Sequence, residues 1–275
     1  MKTSAKVSRM GSAGFTMVEV MVSMTIVVLT LGLAMSAFLF SMKAMYKDSQ
    51  RLASNSSLRK FMSQIANETL NSSYYYLFPY YTSLDGTVDL AADPVSPTQA
   101  YNNANDLYDQ WIAHGDCLVL VTLTSQYRTT DIRQIRIYYR VTRDQNTTAG
   151  ANLNGEAPLR YYETADTGGI PGNGWGEGTS STGNGHPASG LATELNGINL
   201  NSNPSLSGSK LINARSLGRF KTSPATDRWP IFSTLSSVAG PTTGSISINV
   251  EFVNGTTSMN MLSSSSFNYT VSPRK

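Results

Sequence analysis

The chain has almost no cysteine and almost no histidine. Of 275 residues, one is cysteine (Cys117) and two are histidine (His114 and His186). A single thiol excludes an intrachain disulfide. Neither histidine has a ligand-type neighbour at metal spacing, so metal chemistry has little to build on. Cys117 opens the run CLVLVTLT, where a small buried hydrophobe in a strand is expected. Charge is scarce too: 14% of residues are Asp, Glu, Lys or Arg, against 40% hydrophobic. Polarity is carried by Ser, Thr, Asn and Gly, a balance that suits a β-rich exported domain better than a cytosolic enzyme. The net charge of +3 is a local effect, because Lys2, Lys6 and Arg9 all precede Gly14 and no acid does. Setting those three aside from 21 basic residues leaves 18 against 18 acids. A neutral remainder offers no electrostatic footprint for nucleic acid. There is no Gly-x-Ser-x-Gly elbow and no triad context for either histidine. The sequence therefore argues against an enzyme and implies no cofactor.

What is present is one long apolar run. From Val20 to Met42 no residue is charged, and about 23 helical residues suffice to cross roughly 30 Å of hydrocarbon. A short basic stretch precedes it, as in an export signal. Ala34-Met35-Ser36 before Ala37 offers a small-residue cleavage site, so hydropathy alone leaves anchor and cleaved signal open. One residue does not fit either reading. Glu19 sits at the start of the run, where an unpaired carboxylate is costly.

The stretch GFTMVEVMVSM, from Gly14 to Met24, resembles the type IV prepilin signature: a basic leader ending in Gly, then Phe, then an apolar helix with Glu at its fifth position. Counted from Phe15, Glu19 is fifth. The resemblance covers about the first 45 residues and implies a processing route. A prepilin peptidase would cut after Gly14 and methylate the new Phe15 amine. Glu19, four residues on, would lie on the same helix face and pair with that amine in its own or a neighbouring subunit. The implied divisions are a leader at 1–14, a transmembrane or filament-core helix at 15–42, its amphipathic continuation at 43–71 and an exported domain at 72–275. The implied partners are prepilin peptidase, other pilin or pseudopilin subunits, a cytoplasmic-membrane assembly platform and membrane lipid. The implied location is the cytoplasmic membrane, single-pass with the C-terminal domain outside, and then a periplasmic or surface filament. Ser36 stands where many major pilins carry proline.

Beyond the run, Leu58, Phe61, Met62, Ile65 and Thr69 fall at helical spacing, with Met45 and Leu52 extending the stripe loosely backwards. Lys47, Arg51, Arg59 and Lys60 can then lie in water. Next comes NSSYYYLFPYYTS, whose rings Tyr74, Tyr75, Tyr76, Phe78, Tyr80 and Tyr81 form either an interaction patch or, on alternate positions, part of the core. The segment 85–116 reads as loop, and Asp85, Asp89 and Asp93 lack the alternation and glycine of a calcium loop. Leu118–Thr124 and the alternating Ile135, Ile137, Tyr139 and Val141 read as strands, with Leu159–Glu163 as a return partner. Those aromatic strands also look like the W-type minor pilins and the J-type minor pseudopilins of type II secretion. The stretch 166–210 is dense in Gly, Ser and Asn and reads as a long loop or mobile insertion without the apolar residues for a core. Two final strands run through Ile246–Phe252 and Phe267–Val271, joined by more than a two-residue turn at Asn254-Gly255. The expected fold is α+β: a long N-terminal helix, transmembrane then amphipathic, packed on an antiparallel sheet with long loops. The expected function is structural, a pilus or pseudopilus subunit. The alternative is a membrane-anchored extracytoplasmic binding protein that does not polymerise.

Overall fold

The computed structural model describes residues 14–84, 88, 90, 113–123, 132–141, 157–165, 191, 195–196, 208–218, 230–234, 244–254 and 263–273. The sites raised at Asp85, Asp89, Asp93 and His186 lie outside these residues. One helix, α1, runs from Met17–Leu70 over 54 residues, a length of about 80 Å at 1.5 Å per residue. By internal contacts the chain divides into two units, Met1–Ser49 and Gln50–Lys275.

In the first unit, α1 is exposed on every side. Val20, Ile26, Leu31, Phe38 and Phe40 all show half or more of their surface. The most apolar window is 0% buried, and α1 is long and apolar enough to cross a membrane. An apolar surface of this extent is stable only when something other than water covers it. The hydroxyls of Ser23, Thr25 and Thr30 are satisfied locally: Ser23 donates to the Glu19 carbonyl at 2.7 Å, Thr25 to the Val22 carbonyl at 2.8 Å and Thr30 to the Val27 carbonyl at 2.9 Å. Such back-bonding is how a spanning helix keeps polar side chains without an outside partner.

In the second unit, the end of α1 turns amphipathic. Its buried residues are Ser54, Leu58, Phe61, Met62, Ile65 and Thr69, the stripe expected from spacing. The backward extension is not found, because Met45 and Leu52 are each 70% exposed. Ser54, small enough for close approach, takes the next inward position instead.

Among the described residues nine strands follow: β1 Tyr74–Phe78, β2 Ala113–Gly115, β3 Cys117–Leu123, β4 Ile132–Arg140, β5 Ala157–Glu163, β6 Lys210–Gly218, β7 Phe232–Thr234, β8 Ile246–Asn254 and β9 Ser263–Val271. All pairs are antiparallel, and they form one sheet in the order β1-β3-β4-β5-β6-β8-β7-β2, with β9 along the other side of β8. β6 and β7 meet β8 at successive positions, Val250–Phe252 and Ile246–Ile248. β2 then brings the chain back to β1, where the Asp116 amide donates to the Pro79 carbonyl at 3.0 Å. The sheet thus nearly closes into a barrel. The expected pairing of Leu159–Glu163 with the preceding strand holds in β5 against β4, and the last two strands pair as expected. Sequence reading missed β2, β6 and β7, which carry little apolar alternation.

The sheet is buried on both faces where it matters most. On one face, Tyr75, Leu77, Leu118, Leu120, Tyr138 and Phe252 pack under Leu58, Phe61, Met62 and Ile65 of α1. Phe61 meets Tyr138 edge-on at 5.9 Å and Phe252 at 5.8 Å. On the other, Tyr74, Tyr76, Phe78, Cys117, Val119, Ile137 and Tyr139 pack with Leu84, Val88, Leu191 and Leu195. Two expectations need adjusting. The alternation expected along β4 holds at its start, where Ile135 and Ile137 are buried and Arg136 is half-buried, but Tyr138 and Arg140 are buried as fully as their neighbours. The stretch 166–210 is not without core anchors: Leu191 and Leu195 are both 0% exposed, and Asn196 accepts the Val88 amide at 2.8 Å. Two leucines suffice because the sheet already supplies the apolar floor beneath them.

Arg140 is buried because it has a partner. Its guanidinium donates to Asp116 Oδ2 at 2.7 Å, and the Ile231 amide donates to Asp116 Oδ1 at 3.1 Å. Burial pushes the Asp116 carboxyl up, while Arg140 and the Ile231 amide oppose that shift. The pair ties β4 to the start of β7 through the β2–β3 junction. Arg140→Met should therefore cost about 3–5 kcal/mol by leaving a buried carboxyl without its cation, read from the urea midpoint of the second unit. Gly115→Ala should also destabilise, because a Cβ there would lie 2.2 Å from the Phe78 carbonyl oxygen. Backbone on both sides cannot yield cheaply, so thermal unfolding should show a loss of about 1–3 kcal/mol.

Candidate functional site

The first candidate site is the start of α1. Residues 14–16 are outside regular structure and the helix begins at Met17. Thr16 is its N-cap. The Thr16 hydroxyl accepts the Glu19 amide at 3.3 Å, and the Glu19 carboxylate accepts the Thr16 amide and hydroxyl, each at 3.1 Å. This is a capping box, in which two residues three apart satisfy each other's free amides. It places a negative group in the first turn, where the helix dipole favours it. Glu19 is thus held at home by Thr16, a partner the sequence reading did not name. The signal was present as Thr-x-x-Glu ahead of an apolar run.

Immediately before the cap lies the Gly14–Phe15 bond. Phe15 is 84% exposed, and both residues precede the helix. A peptidase needs extended, accessible backbone, and helical residues do not offer it. A Cβ placed on Gly14 would meet nothing within 4 Å. Among the described residues, then, no packing in this chain requires glycine at that position.

A second polar cluster sits at the far end of α1. Glu68 accepts the Tyr138 hydroxyl at 2.7 Å, the Tyr161 hydroxyl at 3.2 Å and the Gln64 amide at 2.9 Å. Arg136 lies 3.7 Å away as an ion-pair partner. Tyr161 also donates to Glu163 at 2.7 Å, and Lys210 pairs with the same carboxylate at 2.9 Å. Burial, with Glu68 adding to it, pushes the Tyr138 hydroxyl well above the usual phenol range. The Tyr161 hydroxyl is pushed up by burial and by its bond to Glu163. Glu163 is held below the ordinary carboxylate value by the Tyr161 hydroxyl first and Lys210 second. Phenols raised this way stay protonated and serve as donors. The arrangement fastens the last turn of α1 to β4 and β5. It carries no reactive pair.

The six-ring run does not form a surface patch. Tyr74, Tyr75, Tyr76 and Phe78 are between 0% and 4% exposed, Tyr81 is 9% exposed, and only Tyr80 is half-buried. β1 lies between two packed layers, so its rings point into both and leave none free for a partner. Alternate burial was expected; consecutive burial is found. Among the described residues of the second unit, exposed rings lie instead on β9, where Phe267 and Tyr269 are 40% and 37% exposed. Cys117 is buried in β3, as expected. Among the described residues, no group of three or more His, Cys, Asp and Glu side chains could hold a metal ion.

One family model matches the chain, the prokaryotic N-terminal methylation motif, over residues 9–35. No curated protein and no solved structure matches it. The chain therefore carries a prepilin-type N-terminal methylation motif, followed by a long helix packed on an antiparallel, nearly closed sheet. Both features are consistent with the broader type IV pilin-like proteins.

The capping box generates a direct test. Thr16→Ala should weaken the first turn by about 1 kcal/mol, and faster amide exchange at residues 17–20 in detergent micelles would register it. Thr16→Ser should restore protection. A first turn indifferent to both changes would show that the box does not hold in solution.

Proposed function

We propose that the chain is a subunit of a type IV pilus or type II secretion pseudopilus, processed at its N-terminus by a prepilin peptidase. The observation that carries this reading is the start of α1. An exposed, non-helical Gly14–Phe15 bond precedes a helix that opens on an acid, Glu19, the fifth residue after the cut, followed by an uncharged run from Val20 to Met42. Because no packing among the described residues explains Gly14, the demand for glycine is assigned to an outside partner, a peptidase that draws the backbone close. Cleavage creates a cation at Phe15, next to the positive end of the helix dipole. Glu19 offsets it. Methylation keeps that charge, so the pairing survives the modification.

In this reading α1 is first a membrane anchor and later the core of a filament. Its apolar surface is covered by lipid in one state and by neighbouring helices in the other. Glu19 then has two levels of partner, Thr16 within the chain and the Phe15 amine of its own or a neighbouring subunit. The mature chain is large for a shaft subunit, with 275 − 14 = 261 residues after the cut and long connections between strands. A subunit repeated throughout a shaft is packed on several sides, whereas one at a tip is free above. The chain is accordingly read as a minor, low-copy subunit of W or J type.

The competing reading is a membrane-anchored binding protein that never polymerises. The burial of Tyr74, Tyr75, Tyr76 and Phe78 removes most of the aromatic surface that such a binder would use. Glu19 separates the two, since an anchor that never assembles has no use for an intersubunit carboxylate.

Intact-mass measurement of the native protein should give a chain beginning at methylated Phe15, and one beginning at Ala37 would end this reading. Gly14→Ala should leave mostly unprocessed precursor on immunoblots. Glu19→Ala should be processed and inserted normally, yet be depleted severalfold from sheared filaments. Unchanged recovery there would favour the non-polymerising anchor. Quantitative mass spectrometry of filaments should count few copies, and this chain as the most abundant protein would exclude the minor-subunit role.

A further inference from the structure

Directly after the apolar run, α1 changes character within the first unit. Met42 is the last residue of the uncharged stretch, and Lys43, Tyr46 and Lys47 follow, all exposed on the continuous helix. At about 100° per residue these three occupy roughly 100° of the helix circumference, so they share one side. Tyr46 is 55% exposed. Neither lysine forms an ion pair or hydrogen bond with any described residue. Asp48, the nearest acid, is turned about 140° from Lys43 and lies off that side.

We propose that Lys43, Tyr46 and Lys47 form a collar that binds the phosphates of anionic lipid headgroups on the extracytoplasmic face of the membrane. The inference rests on Val20–Met42 being the span, and it names the lipid chemistry that the span's upper end prefers. Distance supports it. Lys43 and Lys47 are separated by about 6 Å along the axis, which matches the roughly 5–7 Å of interfacial region above each side of the hydrocarbon. Direction supports it as well. Side chains on a helix tilt toward its N-terminus, which here is toward the membrane, so both ammonium groups lean down onto the headgroups. Tyrosine adds an amphipathic ring that settles at this depth, with its hydroxyl in the polar layer. Solvated lysines at an arbitrary helix position would need no such match. The collar fixes how deep the anchor sits. Its grip is one that assembly must release when the helix leaves the bilayer.

The test uses the full chain in nanodiscs of equimolar phosphatidylglycerol and phosphatidylcholine, with a spin-labelled form of each lipid in turn. Electron spin resonance then resolves the motionally restricted lipid beside the helix. The restricted fraction should prefer phosphatidylglycerol by at least about twofold at low salt and lose that preference at high salt. The double variant K43Q/K47Q should lose a large part of it, while K43R/K47R keeps it. The leader's Lys2, Lys6 and Arg9 are present in every sample, so the difference between variants isolates the collar. Equal selectivity in the native chain and K43Q/K47Q overturns the proposal. So does inorganic phosphate that abolishes the preference when sodium chloride of the same ionic strength does not, because that result makes the collar a free-anion site. A chain that fails to float with vesicles overturns the span itself, and with it the collar. That outcome is distinct from inserted chain without lipid preference.

Discussion

The burial of Leu58, Phe61, Met62 and Ile65 against the sheet is the interaction on which the exported unit depends. Each such side chain contributes about 1.5–3 kcal/mol when fully withdrawn from water. These four come from a helix whose preceding half has no protein surface to cover it. The same helix is therefore asked to be apolar all round in one stretch and apolar on one stripe in the next. The change is abrupt, and Lys43, Lys47 and Arg51 mark it in the sequence. Once the stripe docks, the sheet beneath acquires a roof, and strands that would otherwise face water on that side become fully buried.

That roof explains the polar clusters. With both faces of β4 covered, Arg140 cannot reach water and must be paired, and Asp116 with the Ile231 amide provides the partners. Glu68 at the end of α1 does the same for Tyr138 and Tyr161, whose hydroxyls point toward the helix. A buried ion pair contributes little net stability over an apolar replacement, yet losing one partner is costly. Its effect is to fix register. Here the Asp116–Arg140 pair sets how β2, β4 and β7 meet, and the Glu68 cluster sets where the helix stops on the sheet.

The beginning of α1 follows a different logic, because its polar groups are satisfied within its own first turn. Gly14 and Phe15 are exposed, and Thr16 and Glu19 satisfy each other within one turn. A carboxylate that accepts two local hydrogen bonds enters an apolar medium at lower cost than a bare one. Glu19 thus meets part of its hydrogen-bonding demand within its own turn. A carboxylate has about four acceptor positions, so the local cap leaves others free.

The sequence by itself determined the features that are local or periodic. A 23-residue uncharged run, a Gly-Phe junction, a glutamate at a fixed offset and the stripe from Leu58 to Thr69 are each legible without a partner, because helix geometry fixes which residues are neighbours. Thr-x-x-Glu was equally legible and was passed over. The strands with clear apolar runs, Cys117–Leu123, Ile132–Arg140 and Ile246–Asn254, could also be read. Only the tertiary structure decided which faces are covered. It put the rings of Tyr74–Phe78, open between patch and core in the sequence, into the core and gave Leu191 and Leu195 a place. It also added β2 and β7, three residues each, whose pairing comes from long-range neighbours and not from their own pattern. The reason is physical. A strand's side chains alternate whatever lies above them, so its sequence records an apolar face but not how many faces the rest of the fold will bury.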